Sequence, residues 1–521
     1  MSTSSTLDAL FGELRSLFAE RGTPEWGDEV LRLTRQAHEL DPVHYEDRWL
    51  GYLSSCSPEW FASLAGFNQR DAFEQAAYLV PGATFRFFAD SHSELVEFIG
   101  SPLLSRSHAL GVFRDALSRD VMEALADSVH ASSLRSLTVC GAGVADVGVQ
   151  AIAASPHLAG LQELMLSQVG MTASDAKAIA ASPYLTSLRE LNLSWGMFGD
   201  EGAVALAESP NMGVLTTLQI SRCDVGDEGA VAVATSDGFG ALTTLELSDG
   251  RITDGGAVAI ARSEHLWSLE SLDVRCNRIR GGGVQALLES PLAGALDLRW
   301  PFAGNAIGDG GVYALAASKR LIGRHELLVV NQRVGDAGVR ALAGSPHVSA
   351  LRQLFLDENL IGPRGVRSVV ESEYLEGLTL LSLNENQIGD EGALAIAGSG
   401  RLRALESLQL ANVDIGVVGV RALVASPVTS RLQRLDLSFN DVGDEGAMAL
   451  SEGEFMKTLK WLDLECACIG DAGARALVHA CVLHGVEGID LSFNETSEGC
   501  VAELERVADA ASLVAVFEEV L

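Results

Sequence analysis

The side chains with the clearest capacity for chemistry are acids that recur in the setting Asp-Glu-Gly or Asp-x-Gly, as at 390–392. Repeated carboxylates could hold calcium, but the alternating ligands and the terminal Glu of an EF-hand are absent. An acid is also favoured at the start of a helix, where it can cap the first turn and meet the helix dipole. We therefore predict helix N-caps rather than metal ligands at these acids: Asp200, Asp227, Asp254, Asp336, Asp390, Asp444 and Asp471.

Thiols, imidazoles and glycine-rich turns give no catalytic pattern. The eight cysteines form no pair of Cys-x-x-Cys knuckles, so small buried thiols are expected rather than zinc, with a redox role for Cys466-Ala-Cys468 as the minor alternative. No phosphate loop, HExxH, nucleophile elbow or kinase set occurs, and Gly141-Ala-Gly143 lacks the third glycine of a dinucleotide-binding turn. We predict a non-catalytic protein without cofactor or metal.

Charge and hydropathy limit the partners. The 521 residues carry a net charge of −33, which disfavours nucleic acid and anionic lipid and favours either a basic partner or solubility alone. No apolar run reaches the length of a membrane span, and the N-terminus lacks the features of a signal peptide. We expect a cytoplasmic monomer, and the preference for arginine over lysine is typical of a GC-rich bacterium.

These residues are embedded in a repeat of 27 residues. One copy reads Leu378-x-x-Leu381-x-Leu383-x-x-Asn386-x-Ile388-Gly-Asp-Glu-Gly-Ala. Leu-x-Leu alternation predicts a short strand, the Asn side chain can bond backbone groups where the strand ends, and an Ala-rich helix then runs to a Ser-Pro stop. The frame begins at Leu134, Leu161, Leu188, Leu215, Leu242, Leu269, Leu351, Leu378, Leu405, Leu432, Leu459 and Val486.

Leu-x-x-Leu-x-Leu-x-x-Asn-x-Ile with one helix per unit resembles the leucine-rich repeat of the ribonuclease-inhibitor-like class. The motifs Gly-Asp-Glu-Gly-Ala and Ser-Pro-x-Leu are similar to those of bacterial (myxobacterial-type) repeat arrays, including arrays with an N-terminal repeat-companion domain. The resemblance implies an α/β solenoid shaped as a horseshoe, with a parallel concave sheet, outer helices and protein binding.

The regularity of the repeat divides the chain. Residues 1–79 have helical spacing and a cluster of Trp and Phe, which predicts a small helical domain. Residues 80–133 fit two degenerate repeats that cap the array, 134–497 hold the regular repeats, and 498–521 predict two helices, from Gly499 and from Ser512, that cover the last repeat.

The side chains between and after the strand leucines face away from the helices and form the candidate binding surface. Aromatic side chains in an acidic field are suited to a basic protein partner, although a solvated inner surface with chance aromatics remains the alternative. The candidates are Glu190, Trp195, Glu246, Asp273, Asp297, Arg299, Trp300, Phe302, Phe355, Asp357, Glu385, Asp436, Phe439, Trp461, Asp463, Asp490 and Phe493.

Two other functions stay open from the sequence. Some leucine-rich repeats of this shape activate small GTPases, although no residue here maps onto that activity. Residues 1–79 could also be an effector domain for which the repeats are the targeting arm.

The repeat is broken between 296 and 311, where Leu296 and Leu298 fit the strand only if the entry is three residues shorter. The exit is then four residues longer, so Arg299-Trp-Pro-Phe302 bulges where strand passes to helix. We predict that Trp300 and Phe302 lie on the rim as binding residues. In the alternative they fold inward as core.

Overall fold

The computed structural model describes residues 84–88, 92–113, 118–141, 148–297 and 302–517. The predicted helical domain at 1–79 lies outside these residues. Within them, short strands and helices follow one another along the chain, and no helix is both long and apolar enough to cross a bilayer.

The strands are β1 (Thr84–Phe88), β2 (Ala109–Phe113), β3 (Ser136–Cys140), β4 (Glu163–Ser167), β5 (Glu190–Asn192), β6 (Thr217–Gln219), β7 (Thr244–Glu246), β8 (Ser271–Asp273), β9 (Glu326–Leu328), β10 (Gln353–Phe355), β11 (Leu380–Ser382), β12 (Ser407–Gln409), β13 (Arg434–Asp436), β14 (Trp461–Asp463), β15 (Gly488–Asp490) and β16 (Val514–Val516).

The helices are α1 (His92–Ile99), α2 (Arg119–Asp127), α3 (Val149–Ala154), α4 (Ala173–Ala180), α5 (Gly199–Ala207), α6 (Asp227–Thr235), α7 (Asp254–Ala261), α8 (Gly281–Glu289), α9 (Gly308–Ala317), α10 (Asp336–Ala343), α11 (Pro363–Val370), α12 (Gly389–Ala397), α13 (Val417–Val424), α14 (Gly443–Ser451), α15 (Asp471–His484) and α16 (Glu498–Ala511).

The chain divides into two compact units. The first comprises residues up to 247 together with 264–269, and its strands β1 to β7 pair in parallel and in chain order. The second comprises 248–263 and 270–521, and its strands β9 to β16 pair in the same way. Parallel strands linked by helices confirm the predicted α/β repeat fold.

The apolar residues of the repeat frame form the core. Leu378, Leu381, Leu383 and Ile388 are buried, and the equivalent residues of the neighbouring repeats are buried beside them. The pairing of Leu354 with Leu381 and of Leu381 with Leu408 is offset by the 27 residues of the repeat. Each leucine therefore packs against the equivalent leucines of the neighbouring repeats. In this way a solenoid forms a continuous core from units that are too small to have a core of their own.

Asparagine side chains bond the backbone, as the sequence predicted, and the structure shows that these bonds also join consecutive repeats. Asn386 Nδ2 donates to the carbonyl oxygens of Leu356, Leu383 and Asn384 at 2.9–3.0 Å, and its Oδ1 accepts the N–H of Ile361 at 3.0 Å. Where the Asn is replaced by Cys223, the thiol donates to the carbonyl oxygens of Leu193 and Ser221, both at 3.3 Å. Burial raises the pKa of this thiol to about 12, so it stays a neutral donor.

Six of the seven predicted aspartates accept hydrogen bonds from the start of the next helix, and for these six the prediction that they cap their own helices is wrong. Asp390 lies in the first turn of α12, yet its Oδ1 accepts the N–H groups of Gly416 at 2.8 Å and Gly419 at 2.9 Å, where α13 begins. Asp200, Asp254, Asp309, Asp336 and Asp444 bond the start of the next helix in the same way. Each of these carboxylates accepts hydrogen bonds from backbone N–H groups that have no partner within their own helix, at the N-terminus of the helix in the next repeat.

Serine side chains join the C-terminal ends of consecutive helices. Ser399, which follows α12, donates its hydroxyl to the carbonyl oxygen of Val370, the last residue of α11, at 2.9 Å. Ser345, Ser372 and Ser426 repeat the contact within the second unit. Near the irregular segment the pattern stops, because the Ser290 hydroxyl turns back to Leu287 of its own helix.

The C-terminal prediction is half correct. Helix α16 covers Glu498–Ala511, but Ser512 adopts a left-handed conformation (φ 59°) that ends the helix. Val514–Val516 then pairs in parallel with β15, so the predicted second cap helix is wrong at these residues. The unpaired edge of β15 supplied hydrogen-bond partners that a three-residue apolar run could use.

Candidate functional site

Three aspartates lie side by side on adjacent strands of the second unit, on the side of the sheet that faces away from the helices. Asp436 on β13 is in register with Asp463 on β14, and Asp463 is in register with Asp490 on β15. Neighbouring strands are about 4.8 Å apart, so the three carboxylates form one row. We call Asp436, Asp463 and Asp490 the aspartate row, and the side of the sheet that carries it the strand face.

Each carboxylate of the row is held by local hydrogen bonds. Asp436 Oδ1 accepts the backbone N–H of Ser438 at 2.9 Å and its hydroxyl at 2.7 Å. Asp463 and Asp490 accept the N–H of the residue two positions later, at 3.2 and 2.9 Å. Among the ion pairs of the described residues, none involves the row. Their negative charge is therefore oriented but not neutralised by a cation.

Asp463, in the middle of the row, is harder to ionise than an ordinary aspartate. Burial, together with the smaller effect of repulsion by Asp436 and Asp490, raises the pKa of Asp463 to about 6. Desolvation and like charges both disfavour the ionised form. A cation placed against Asp463 would favour its ionised form and offset the repulsion among the three carboxylates, so the row is suited to a positively charged ligand.

Two of the other predicted acids of the second unit, Asp273 and Asp357, are engaged within the chain. Asp273 forms an ion pair with Arg275, with N···O distances of 2.7 and 2.9 Å. Asp357 accepts the hydroxyl of Ser382 and the N–H of Asn384, and burial raises its pKa. Asp297 and Glu385 are exposed, and Glu385 is held with a φ of 54°. These acids are outside the aspartate row.

The predicted residues of the first unit are described separately. Glu190 is exposed on β5, and Glu246 on β7 accepts the side-chain amide of Gln219 at 2.8 Å. Trp195 is 46% exposed, and the guanidinium of Arg222 stacks on its ring with Cζ 4.0 Å from the centroid. Sequence analysis missed this contact because the two residues belong to consecutive repeats and neither fits a motif.

Aromatic side chains flank the aspartate row. Trp461 precedes Asp463 on β14, and a Cβ at Gly488 would overlap its indole ring, so the ring lies against β15 where a side chain is missing. Phe439 is 49% exposed, and Phe493 is partly exposed. Phe355, on β10, is also partly exposed but is three strands from β13. The row and the aromatic residues Phe439, Trp461 and Phe493 form the candidate site.

Phe439, Cys466 and Phe493 occupy the same position in three consecutive repeats, immediately before the asparagine position. We call it the pre-asparagine position. All three are left-handed, with φ of 56°, 50° and 56°. Inter-repeat hydrogen bonds hold two of them, from Phe439 N–H to the Glu465 carbonyl oxygen at 2.7 Å and from Cys466 N–H to the Ser492 carbonyl oxygen at 2.9 Å. This conformation disfavours bulky side chains, so two phenylalanines here are not explained by local backbone preference.

The irregular segment gives a mixed result. Leu272 bridges Leu296, which confirms the shortened entry. Phe302 is 3% exposed, so its predicted rim position is wrong and it fills the core. Burial of this apolar ring in the interior is favourable, which is the physical reason for the core position. Arg299 and Trp300 lie outside the described residues.

One buried side-chain oxygen among the described residues lacks a hydrogen-bond partner. It is the hydroxyl oxygen of Ser407, on β12 next to Arg434 of β13. The same residues hold no cluster of His, Cys, Asp and Glu arranged to bind a metal.

Comparison with known proteins identifies the repeat. Seven segments match the Leucine Rich repeat family: residues 184–207, 214–234, 242–261, 267–288, 378–397, 431–451 and 455–478. The chain therefore contains leucine-rich repeats and has the corresponding α/β solenoid fold. An internalin (inlF) from Listeria monocytogenes is a similar solved structure, at 15% identity and a TM-score of 0.28, covering 77% of this chain and 89% of that chain. No curated protein matches the chain.

Proposed function

We propose that this protein is a non-catalytic scaffold that binds a basic protein partner on the strand face of its second unit. The observation that carries the proposal is the aspartate row, three in-register carboxylates with no ion pair among the described residues. Leucine-rich repeats are protein-interaction modules, which supports the class of function. We also propose that it acts as a cytoplasmic monomer.

Electrostatics favours a basic partner over a neutral one. The chain carries −33 net charge, which accelerates the encounter with a cationic protein over long range. At short range the row offers three carboxylates, and Phe439, Trp461 and Phe493 offer the apolar contact that anchors an interface. Arg299, Trp300, Glu385 and Asp297 remain proposed contributors to a wider contact area of the second unit.

A charge-matched pair of variants tests the proposal. The strand-face variant Asp436→Asn/Asp463→Asn/Asp490→Asn removes three negative charges from the row. The control Glu391→Gln/Glu445→Gln/Glu498→Gln removes three from helices α12, α14 and α16. Binding of a fluorescent oligolysine peptide at low salt should weaken about tenfold or more in the first variant and only slightly in the second. Equal weakening would mean that net charge, not the strand face, binds the peptide.

A further inference from the structure

The two units use the pre-asparagine position differently. In the first unit, Trp195 and Arg222 hold it in consecutive repeats, both left-handed, with φ of 68° and 57°. Arg222 places its guanidinium carbon 4.0 Å from the centre of the Trp195 ring. This contact shows that one repeat step brings an arginine at this position within stacking distance of an aromatic ring.

In three consecutive repeats of the second unit, the pre-asparagine position holds an aromatic residue, a small residue and an aromatic residue in turn. Phe439 and Phe493 stand two repeats apart, and Cys466 lies between them with a side chain too short to reach across either ring. Two strand spacings separate the phenylalanine backbones by about 9.5 Å. A planar cation midway between them would lie about 4.8 Å from each, close to the 4.0 Å of the Arg222 contact and inside the roughly 6 Å at which a cation is attracted to an aromatic ring, so one planar group over Cys466 can contact both rings.

The charges around the gap favour a cation as that planar group. Cys466 follows Glu465. The aspartate row lies on β13, β14 and β15, the strands that precede Phe439, Cys466 and Phe493, and Asp463 is three residues before Cys466. A guanidinium is planar, stacks on aromatic faces and donates to carboxylates from its edge, whereas an ammonium is a compact, strongly hydrated charge. The geometry therefore distinguishes arginine from lysine.

We infer that Phe439, Cys466 and Phe493 form a slot that takes an arginine side chain of the basic partner, with the guanidinium stacked between the two rings above Cys466. This inference rests on the proposed function and specifies the residue that the partner inserts. The first unit makes this contact within the chain through Trp195 and Arg222, and the second unit makes it with the partner. The remaining basic residues of the partner pair with the aspartate row.

The test compares oligoarginine and oligolysine peptides of equal length and charge on the full chain. The slot predicts that the arginine peptide binds several-fold more tightly. In Phe439→Leu/Phe493→Leu the arginine peptide should lose about tenfold in affinity and the preference should disappear. Phe355→Leu is the matched control, because it removes a strand-face phenylalanine away from the slot, and it should keep the preference. Thermal melting checks that each variant is folded.

Two further readouts separate stacking from a general apolar contact. Cys466→Arg should fill the slot from within, as Arg222 does in the first unit, and abolish the arginine preference. In the wild type, bound arginine peptide should slow alkylation of Cys466 by iodoacetamide more than alkylation of the exposed Cys468. Equal affinity for both peptides, or an unchanged preference in Cys466→Arg, would overturn the slot while leaving charge-driven binding intact. Failure of both peptides to bind at low salt would overturn the proposed function and the slot together.

Discussion

At the scale of single residues, the asparagine side chains are where sequence and structure agree most closely. The Leu-x-x-Asn spacing predicted that these amides bond the backbone, and Asn386 makes four such bonds. Asn386→Ala should lower the free energy of unfolding by about 1–3 kcal/mol, because buried backbone groups lose their partner. Exposed Gln387→Ala is the control and should be near neutral in urea denaturation. Similar losses in both variants would argue against the inter-repeat role.

The aspartate row makes a pH-dependent prediction. The pKa of Asp463 is raised from 3.8 to about 6 in the folded protein, so the folded state binds more protons than the unfolded state between these values. The stability contributed by this carboxyl therefore falls as the pH rises from about 4 to about 6. Asp463→Asn should stabilise the protein by about 1 kcal/mol at pH 7, after allowance for solvent screening, and have little effect near pH 4.

Asp471 is the control of opposite sign for that pH series. Hydrogen bonds from the backbone N–H and the hydroxyl of Ser497 lower its pKa. Its contribution to stability is present at neutral pH and is lost as the pH falls through the lowered pKa. Asp471→Asn should therefore destabilise at neutral pH and become neutral in acid. Denaturation curves in which Asp463→Asn and Asp471→Asn shift in the same direction at pH 7 would contradict the assigned environments.

At the scale of elements, the direction of helix capping is the main point that the sequence could not supply. An acid in the first turn of a helix has the same local pattern whether it caps its own helix or the next one. The choice depends on the distance between repeats, which only the fold sets. Asp390 illustrates this, because both of its backbone donors, Gly416 and Gly419, are at the start of α13.

Asp390→Ala should therefore act on α13 and not on α12. The expected cost is about 1–2 kcal/mol, since two helix-start donors lose their acceptor. Hydrogen exchange should accelerate at the amides of Gly416 and Gly419. Glu391→Ala, next to it on the exposed side of α12, is the control and should leave these amides unchanged. Faster exchange confined to Gly389–Ala397 would restore the own-helix cap that the sequence suggested.

The irregular segment and the C-terminus show a second limit of local pattern. Hydrophobicity alone is consistent with Phe302 either on the rim or in the core, and only the folded structure shows that it is buried. Val514–Val516 is too short to distinguish helix from strand by periodicity, and the open edge of β15 decides it. The regular repeats were predictable because twelve copies of one frame report the same periodicity.

At the scale of the whole molecule, an acidic chain gives the proposed interaction a defined salt dependence. Association with a basic peptide should slow as salt rises, because the screening length falls to about 8 Å at physiological ionic strength. The dissociation rate should change less, since stacking and apolar contacts of Phe439, Trp461 and Phe493 are weakly screened. Stopped-flow fluorescence measures both rates. An association rate that does not respond to salt would argue against steering by the net charge of −33.

The central claim is that a basic partner binds the aspartate row of the second unit, and zero-length cross-linking tests it most directly. Carbodiimide couples a carboxylate to a lysine amine only where the two are in contact. With bound oligolysine peptide, mass spectrometry should place the cross-links at Asp436, Asp463 and Asp490. Cross-links concentrated instead at the helix acids Glu391, Glu445 and Glu498, with none at the row, would contradict the account.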